Sequence, residues 1–400
     1  MSDNWIETTL DQAANVVMGS SPPGDTYNES GIGLPFLQGS AEFGEHSPSP
    51  LKWCSAPVKV AHAGDLLVSV RAPVGDTNFA QEETAIGRGL AKISSNGNAL
   101  PTFLRLVVQF STAELLSRSG TGMFTSITSR ELKGFPFRLP PLATQDRIVA
   151  VIDSIDKQIA ALDAERNAAN RFHDALAETL ILDAGHPSIA TGELAVERGL
   201  IGGPFGSSLG RKDYTDTGIP VIRGTNMPAS SDFLAGDFIF VSHVKAKQLH
   251  RNQASPGDVI FTQRGTLGQV SLVTDKFDRY VISQSQMRLR TDPVKALPEY
   301  VLRAFRTPTM VRHIKSQNSA TANPHINLGI LKRVTVPLPS VDKQREIVDL
   351  LASTAGQISS LAREYGRLRE ARSATLNALL SREIEIPESF NELLKKKVAV

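Results

Sequence analysis

Two stretches of the chain carry mostly apolar residues at spacings that alternate between four and three. The first runs through Ile148, Ile152, Ile155, Ile159, Leu162, Arg166, Ala169, His173, Leu176 and Leu180. The second begins 199 residues later and runs through Ile347, Leu351, Thr354, Ile358, Leu361, Tyr365, Leu368, Arg372, Thr375 and Leu379. This is the a/d pattern of a coiled coil, and no proline interrupts either stretch. The pattern predicts two helices of about 37 residues, each about 55 Å long at about 1.5 Å per residue.

Each predicted helix has a long apolar face that needs a partner. The face could pack on the globular half that precedes it, or the two faces could pack on each other. Their equal length and matching register favour mutual packing, and we expect it to be antiparallel, which would put the two globular halves at opposite ends. The predicted helix-pairing seam consists of Ile148, Ile152, Ile155, Ile159, Leu162, Ile347, Leu351, Ile358, Leu361 and Leu368. The polar positions Arg166, His173, Thr354 and Arg372 are expected to set its register.

The repeat extends beyond the helices. Residues 139–149 (LPPLATQDRIV) return as 338–348 (LPSVDKQREIV), and residues 64–75 return as 257–268, each beginning with Gly-Asp and ending with Gly. These markers keep the same order in both halves. A period this long exceeds the ~20–50 residues of a solenoid repeat, so it indicates duplication of a whole domain plus a helix.

Between the turn clusters, the chain carries short strand-like segments. We predict strands at 58–60, 66–70, 259–262 and 269–273, and helices at 101–117 and 298–315, each with proline in its first turn. The predicted fold class is α+β: two tandem globular α/β domains separated by two long helices that form an antiparallel coiled coil, with a pseudo-twofold internal repeat. The predicted bounds are a first domain at 1–140, a central helix at 141–184, a second domain at 185–339, a C-terminal helix at 340–383 and a tail at 384–400.

The composition of the chain indicates where in the cell the protein is expected, and its charged residues are unevenly distributed between the two halves. No stretch approaches the ~20 apolar residues of a membrane-spanning helix, the N-terminus lacks the features of a signal peptide, and Cys54 is the only cysteine, which excludes internal disulfides. A cytoplasmic location is therefore the expectation. Residues 1–139 hold 10 Lys/Arg against 13 Asp/Glu, whereas residues 191–338 hold 19 against 11. The basic second half can attract phosphate, although such a domain can also be merely well solvated.

Motifs of catalytic chemistry are missing from the sequence. There is no phosphate-binding loop of the GxxxxGK[ST] type, no GxSxG elbow and no HExxH. The segment Asn323-Pro324-His325 lacks the second proline and the aromatic residue of an amino-methyltransferase motif. The histidines do not form a metal-binding pattern. We therefore expect no catalytic residues and no metal site, and a binding protein is favoured over an enzyme.

The duplicated motifs resemble a known family. The unit Leu-Pro-Pro-Leu-x-x-Gln-x-x-Ile-Val followed by a heptad helix is similar to the central and C-terminal regions of specificity subunits of type I DNA restriction–modification systems. The element Gly-Asp-(apolar)₂-x-Ser/Thr-x-Arg-x-x-x-Gly resembles the target-recognition domains of that family. The resemblance covers essentially the whole chain, in the family's order of domain, helix, domain, helix.

This resemblance implies a non-catalytic subunit with two target-recognition domains, each reading one half of a bipartite DNA sequence. It implies that the paired helices span the unread spacer and dock two methyltransferase subunits, and that restriction/translocase subunits join the complex. Major-groove faces of a duplex recur every ~34 Å, so a helix of about 55 Å is long enough to hold two domains roughly one turn of DNA apart. It also implies that S-adenosylmethionine, ATP and Mg belong to the partner subunits, with no cofactor in this chain. The alternatives are a DNA methyltransferase or restriction enzyme with fused recognition domains, and a coiled-coil scaffold that does not read DNA.

Candidate DNA-binding residues follow from the chemistry of base recognition. Arg and Lys suit guanine, Asn and Gln suit adenine, and tight turns with cations and hydroxyls suit phosphate. In the second domain we expect three loops to converge on the DNA, and they contain Arg223, Thr225, Asn226, Gln263, Arg264, Thr266, Gln284 and Gln286. In the first domain the candidates are Gln38, Ser40, Ser69, Arg71 and Arg88.

Comparison of the two halves divides these candidates. Arg71 and Arg264 occur in both copies, so they suit the DNA backbone, or else they pair with Asp65 and Asp258 of their own motif. Positions that differ suit specificity: Gln38 against Arg223, Arg88 against Gln284, and Ser40 against Thr225. Because the first domain is acidic, we expect the lone chain to bind DNA weakly and the assembled complex to bind it well.

Overall fold

The computed structural model describes residues 5–44, 47–118, 126–182, 184–318 and 324–390 of the chain, without the side chains of residues 114–118. The chain divides into two compact units. Unit 1 comprises Met1–Asp163 with Glu364–Val400, and unit 2 comprises Ala164–Arg363. Each unit contains one globular domain and one part of each long helix.

The first domain and the helix that follows it contain eleven strands and four helices in the described residues. The strands are β1 (Ile6–Thr9), β2 (Ala14–Met18), β3 (Tyr27–Asn28), β4 (Leu34–Leu37), β5 (Lys52–Cys54), β6 (Val60–Ala61), β7 (Leu66–Ser69), β8 (Thr77–Phe79), β9 (Thr84–Ile86), β10 (Leu90–Ser95) and β11 (Pro136–Leu139). The helices are α1 (Leu10–Ala13), α2 (Pro101–Arg118), α3 (Ser129–Lys133) and the long α4 (Leu142–Ile181).

The second domain repeats this series of strands. Its strands are β12 (Ser188–Ala190), β13 (Ala195–Gly202), β14 (Tyr214–Thr215), β15 (Ile219–Ile222), β16 (Ile239–Val241), β17 (Gln253–Ala254), β18 (Val259–Thr262), β19 (Val270–Leu272), β20 (Tyr280–Ile282), β21 (Gln286–Thr291) and β22 (Thr335–Pro337). Its helices are α5 (His243–Gln248), α6 (Pro298–Arg306), α7 (Pro308–Ser316) and α8 (Leu328–Arg333), followed by the long α9 (Val341–Ser381).

The two domains have the same sheet topology. Each has a two-stranded sheet, β1-β11 or β12-β22, and a four-stranded antiparallel sheet, β2-β10-β7-β8 or β13-β21-β18-β19. Each also has a five-stranded sheet, β3-β5-β4-β9-β6 or β14-β16-β15-β20-β17, in which one pair, β4-β9 or β15-β20, is parallel. The predicted fold class and its internal repeat are therefore confirmed.

The long helices pair in an antiparallel sense. In unit 1 the start of α4 meets the end of α9, where Ile148 and Ile152 share a buried cluster with Leu376 and Leu379. In unit 2 the end of α4 meets the start of α9, where Ile347 and Leu351 share a cluster with Ala177 and Ile181. The same clusters include side chains of α2 and α6, so both packing alternatives occur at once. The other predicted seam residues, Ile155, Ile159, Leu162, Ile358, Leu361 and Leu368, are only partly buried.

Polar contacts cross the helix pair at two equivalent positions. In unit 1 the guanidinium of Arg372 forms an ion pair with Asp156 and donates to Gln109 Oε1 at 3.2 Å. In unit 2, His173 Nδ1 lies 2.6 Å from Thr354 Oγ1. Because the single hydroxyl hydrogen of Thr354 is donated to Leu351 O at 3.0 Å, the Thr354 oxygen accepts a hydrogen bond from His173 Nδ1–H.

A buried glutamine joins each long helix to its domain. Gln145 Oε1 accepts from Leu100 N at 2.8 Å, and its Nε2 donates to Asn98 O at 2.9 Å and to Pro140 O at 2.8 Å. Gln344 repeats all three bonds, with Leu297 N at 2.9 Å and with Lys295 O and Pro339 O at 2.9 Å each. Both side chains are completely buried. These bonds explain why the motif at 139–149 and 338–348 keeps its glutamine.

One predicted helix is wrong. The segment 298–315 is two helices, α6 and α7, which meet at Thr307-Pro308. Proline lacks the N–H that a continuous helix needs, and the Thr307 hydroxyl caps α7 by accepting from Met310 N at 3.3 Å. In the described part of the chain, no helix has the length and apolar character needed to cross a membrane.

Candidate nucleic-acid interface

Three loops of the second domain lie together at strand ends. We name them loop A (residues 223–226, after β15), loop B (263–266, after β18) and loop C (283–286, from the end of β20 to the first residue of β21). Ser285 O accepts from Gln263 N at 2.7 Å and from Arg264 N at 3.3 Å, which joins loops B and C. Ser283 N donates to Ile222 O at 3.0 Å, which joins loop C to the strand before loop A. The backbone therefore brings the predicted loops into one cluster.

Asn226 holds loop A in shape. Its Oδ1 accepts from Arg223 N at 3.1 Å, and its Nδ2 donates to Ala235 O at 3.2 Å and to Asp237 O at 3.0 Å. The side chain is completely buried. Its donors and acceptor are thus committed to the protein backbone, whereas the neighbouring Thr225 is exposed and Arg223 is half-buried.

The two glutamines of loop C also contact protein groups. Gln284 Nε2 donates to Leu209 O at 2.8 Å and to Gly206 O. Gln286 is completely buried, and its Oε1 accepts from the Ser283 hydroxyl. Its Nε2 is buried and has no hydrogen-bond partner among the described residues. That nitrogen lies 3.7 Å from where a Cβ on Gly224 would stand, so it faces loop A.

Loop B presents the most open polar groups. Arg264 and Thr266 are exposed, and Gln263 is half-buried. Residue 264 forms a backbone bridge with His325, and Ile326 N donates to Gln263 O at 3.0 Å. In the first domain, Arg71 forms the same bridge with Ser126, and Ile127 N donates to Val70 O at 2.9 Å. Both arginines are exposed at equivalent strand ends.

The carboxylates of the Gly-Asp motif do not bind the arginines of their own motif, which was one of the two roles predicted for Arg71 and Arg264. Asp65 Oδ2 accepts from Lys92 Nζ at 3.1 Å, and Asp258 accepts from Arg290 at 2.7 and 2.8 Å. Within the described residues, neither Arg71 nor Arg264 forms an ion pair. The pairing of these arginines with their own motif aspartates is therefore wrong.

Each motif aspartate also closes the turn before its strand. His62 N donates to Asp65 Oδ2 at 2.9 Å, and Ser255 N donates to Asp258 Oδ2 at 2.8 Å. Burial alone would raise the pKa of Asp65, but hydrogen bonds from His62, Ser94 and Lys92 outweigh burial and hold this pKa below its usual value. The Gly-Asp element is thus a structural clamp whose aspartate binds a cation other than the arginine of its own motif.

The first domain assembles its candidates in the same way. Gly87 N donates to Leu37 O at 2.8 Å, and Val70 N donates to Gly89 O at 2.9 Å, which brings Gln38, Arg71 and Arg88 to neighbouring strand ends. These three side chains are exposed. Ser40 is half-buried, and Ser69 is buried and donates to Arg71 O at 2.7 Å. Ser69 therefore shapes the turn that carries Arg71.

Sequence reasoning missed the cations that hold the segment after loop A. Asp232 accepts from Arg303 at 2.5 and 3.1 Å and from Arg306 at 2.9 Å. Beside these groups, in unit 2, is a groove of about 610 Å³ whose lining includes Thr266 of loop B and Lys315. The spacing of two arginines three residues apart was the available signal, because such a pair lies on one helix face. Across the described ranges, no three His, Cys, Asp or Glu side chains form a group that could hold a metal ion.

Comparison with known proteins gives one consistent family. The model of the type I restriction modification DNA specificity domain matches residues 3–171 and 208–364. The putative type I restriction enzyme MjaX specificity subunit of Methanocaldococcus jannaschii is 38% identical over 160 residues, which span 39% of this chain and only 38% of that relative's length. The type I restriction enzyme EcoBI specificity subunit of Escherichia coli is 21% identical over 387 residues, covering 86% of this chain and 78% of that protein.

Solved structures share the fold. A chain from a study of complex assembly and conformational transition of the type I restriction–modification system has a TM-score of 0.65 and 18% identity, covering 95% of this chain and 98% of that one. The specificity subunit of such a system from M. genitalium has a TM-score of 0.50 and 15% identity, covering 95% of this chain and 96% of that one.

Proposed function

Because this chain belongs to the type I restriction–modification DNA specificity family, we propose that it reads a bipartite DNA target, with one half-site for each globular domain. The observation that carries the proposal is the duplication. Two domains with one sheet topology each bring a cluster of polar side chains to equivalent strand ends. Two such surfaces on one chain suit a target with two separately read parts.

The chemistry of the clusters supports a division of work. Exposed Arg71 and Arg264 occupy the same backbone position in both domains. A shared cation that forms no ion pair with the residues that the structure describes suits phosphate, which is the same at every base pair. Gln38 and Arg223 follow equivalent strands but differ in chemistry, and Arg88 stands where the second domain carries Gln284. Amide and guanidinium groups discriminate adenine from guanine in the major groove, so we assign specificity to Gln38, Arg88 and Arg223.

The contacts of three candidates favour a supporting role. Asn226, Gln284 and Gln286 use their amides to hold loops A and C and the adjoining segment. Their contribution to recognition is then to fix the loops that carry Arg223, Thr225 and Arg264. A rigid loop loses less conformational entropy when it binds.

We further propose that the paired helices α4 and α9 dock two methyltransferase subunits and that restriction/translocase subunits join this assembly. S-adenosylmethionine, ATP and Mg would be bound by those partners. The antiparallel pair supports this assignment because it repeats similar helix surfaces, which suit two copies of one partner. A cytoplasmic location remains part of this proposal.

Mapping of methylated adenines tests the function directly. The full chain is expressed with the methyltransferase subunits of its system in a host that lacks other adenine methylation. We expect a motif of two short half-sites separated by a spacer of fixed length and free sequence. A continuous motif, or no methylation from an assembled complex, would contradict the proposal.

The methylation assay also tests whether Arg71 and Arg264 contact phosphate or bases. Arg264→Ala is expected to reduce methylation at all sites evenly and to lower the salt dependence of DNA binding, because a phosphate contact carries no sequence information. Arg71→Ala serves as the matched change in the first domain. A change of motif in either variant would assign that arginine to the bases.

A further inference from the structure

An aromatic side chain stands at the edge of the second domain's loop cluster. Phe205 is 89% exposed, although burying a phenylalanine side chain stabilises a protein by about 1.5–3 kcal/mol. It lies in the segment between β13 and β14, within the sequence Gly202-Gly203-Pro204-Phe205-Gly206. Such exposure needs a reason when the surrounding backbone is well held.

Hydrogen bonds fix this segment against loop C. Gly203 N donates to Gln286 O at 2.9 Å, and a Cβ on Gly203 would lie only 2.0 Å from Ser283 O. On the other side of Phe205, Gln284 Nε2 donates to Leu209 O at 2.8 Å and to Gly206 O. The bonds anchor the segment before and after Phe205, so the ring is presented outward from a fixed base.

The glycines make this approach possible. Gly203 has no room for a side chain, and Gly206 has a φ of +56°, in the left-handed region that favours glycine. Arg211 and Lys212 follow in the same segment and are exposed, so the segment also offers cations to an anionic partner. The segment combines an apolar tip, a rigid base and positive charge.

The first domain has the same anchor and a different tip. Gly19 N donates to Leu90 O at 2.8 Å, as Gly203 N does to Gln286 O. Its segment continues with Ser20, Ser21 and Pro22, without an aromatic residue or a cation. A shared backbone with unlike side chains is the relation expected of residues that read different bases.

We propose that Phe205 is a specificity-determining residue of the second recognition domain and that its ring contacts a thymine methyl group. This rests on the proposed function. The methyl group of thymine is the apolar group that a base pair presents in the major groove, and phenylalanine is among the residues that contact it. Polar groups of loop A then read neighbouring donors and acceptors while the ring reads the methyl group.

The test uses the full chain in complex with its methyltransferase subunits and the motif mapped above. Replacing each thymine of the second half-site by uracil removes one methyl group and nothing else. We expect one replacement to weaken binding by about fourfold, the effect of losing one buried methyl-sized group. In Phe205→Ala the same replacement should have no effect, and in Phe205→Leu part of the effect should remain.

Two controls distinguish recognition from assembly. Val294→Ala shortens another apolar side chain, 83% exposed in the turn before α6, and should leave both the motif and the uracil effect unchanged. Assembly of each variant with the methyltransferase subunits is measured by size-exclusion chromatography with light scattering, and Phe205→Ala should assemble normally.

Several outcomes would overturn the inference. They are a second half-site without an A·T pair, an insensitivity of the unchanged protein to every uracil, or a Phe205→Ala variant with unaltered preference. Loss of assembly in that variant would place Phe205 in a protein interface instead. If the unchanged complex yields no bipartite motif at all, the proposed function fails first, so the two failures are distinguishable.

Discussion

The two units share the same backbone arrangement, but the extent to which their side chains differ varies from one region to the next. The joint between domain and helix is identical in both, with Gln145 and Gln344 making the same three bonds. The clamp of the Gly-Asp motif is conserved in role and varied in chemistry, since Asp65 binds Lys92 and Asp258 binds Arg290. Among the loop residues, Arg71 and Arg264 are shared, whereas Gln38 differs from Arg223 and Arg88 differs from Gln284. Side chains at equivalent positions therefore differ least in the buried joint and most in the loops. These loops are where we assign recognition.

The largest expected effect concerns the apolar contacts of the helix pair. Ile152→Ala in unit 1 and Leu351→Ala in unit 2 each remove a completely buried side chain. Each should lower the free energy of unfolding by about 2–5 kcal/mol, measured by chemical denaturation followed by circular dichroism. Ile159→Ala, at a partly buried seam position, is the control and should have a smaller effect. Equal losses at all three positions would show that burial does not govern the seam.

The next effect tests whether the two joints are equivalent. Gln145→Ala and Gln344→Ala each leave one main-chain N–H and two carbonyl groups without their partner, of which the carbonyl of Pro140 or Pro339 takes part in a buried bond, and an unsatisfied buried group costs about 1–3 kcal/mol. We expect the two variants to be destabilised by the same amount, within about 0.5 kcal/mol. Glutamate at either position keeps an acceptor for Leu100 N or Leu297 N but loses both donors, so it should not restore stability. Unequal losses would break the symmetry of the joints.

A smaller effect separates the reading surfaces. Arg223→Ala and Gln38→Ala should each relax one base pair, in different half-sites, by about 1–3 kcal/mol of discrimination. The measurement is methylation of DNA libraries randomised at each half-site. Neither variant should change the required spacer length. If both variants altered the same half-site, the assignment of one half-site to each domain would be wrong.

The smallest effect compares the two polar crossings of the helix pair. Burial, and then the charge of Arg303, hold the pKa of His173 below 6.5, against the opposing influence of Asp174 and Asp232. The unfolded chain therefore binds the proton more readily, and unit 2 should lose stability as pH falls from above 6.5 towards the lowered pKa. His173→Asn, followed by thermal unfolding between about pH 5 and 8, should reduce this slope. Arg372→Ala, at the equivalent position, should leave the slope unchanged; an equal change in both variants would contradict the assignment.

The repeated architecture could be predicted because the heptad spacing of a helix is visible within a short stretch of sequence. The heptad spacing predicted α4 and α9, and β18 matches its predicted segment. The prediction of one helix at 298–315 missed the break at Pro308, although a proline within a helical pattern ends or kinks the helix before it. The partners of Asp65 and Asp258 were also missed. Lys92 and Arg290 lie on strands that reach these carboxylates only through the pairing of β7 with β10 and of β18 with β21.

The reading loops show a different limit of sequence analysis. Residue types located the cluster, but they could not show that Asn226 and Gln284 direct their amides at backbone groups of the protein. An amide side chain has the same chemistry whether it binds a carbonyl group of the fold or the edge of a base. Phe205 was overlooked for a related reason, since its exposure depends on the anchoring of a glycine-rich segment to a distant strand.

The joint made by Gln344 has a consequence for how such a protein can be altered. All three of its partners are main-chain atoms, of Lys295, Leu297 and Pro339. The bonds therefore require a backbone path and place no demand on which side chains those positions carry. A foreign domain that follows the same path could be joined to this helix without redesign of the junction. A new DNA preference could thus be obtained by exchanging a whole domain, with the fusion point between the old and the new sequence placed at Gln344.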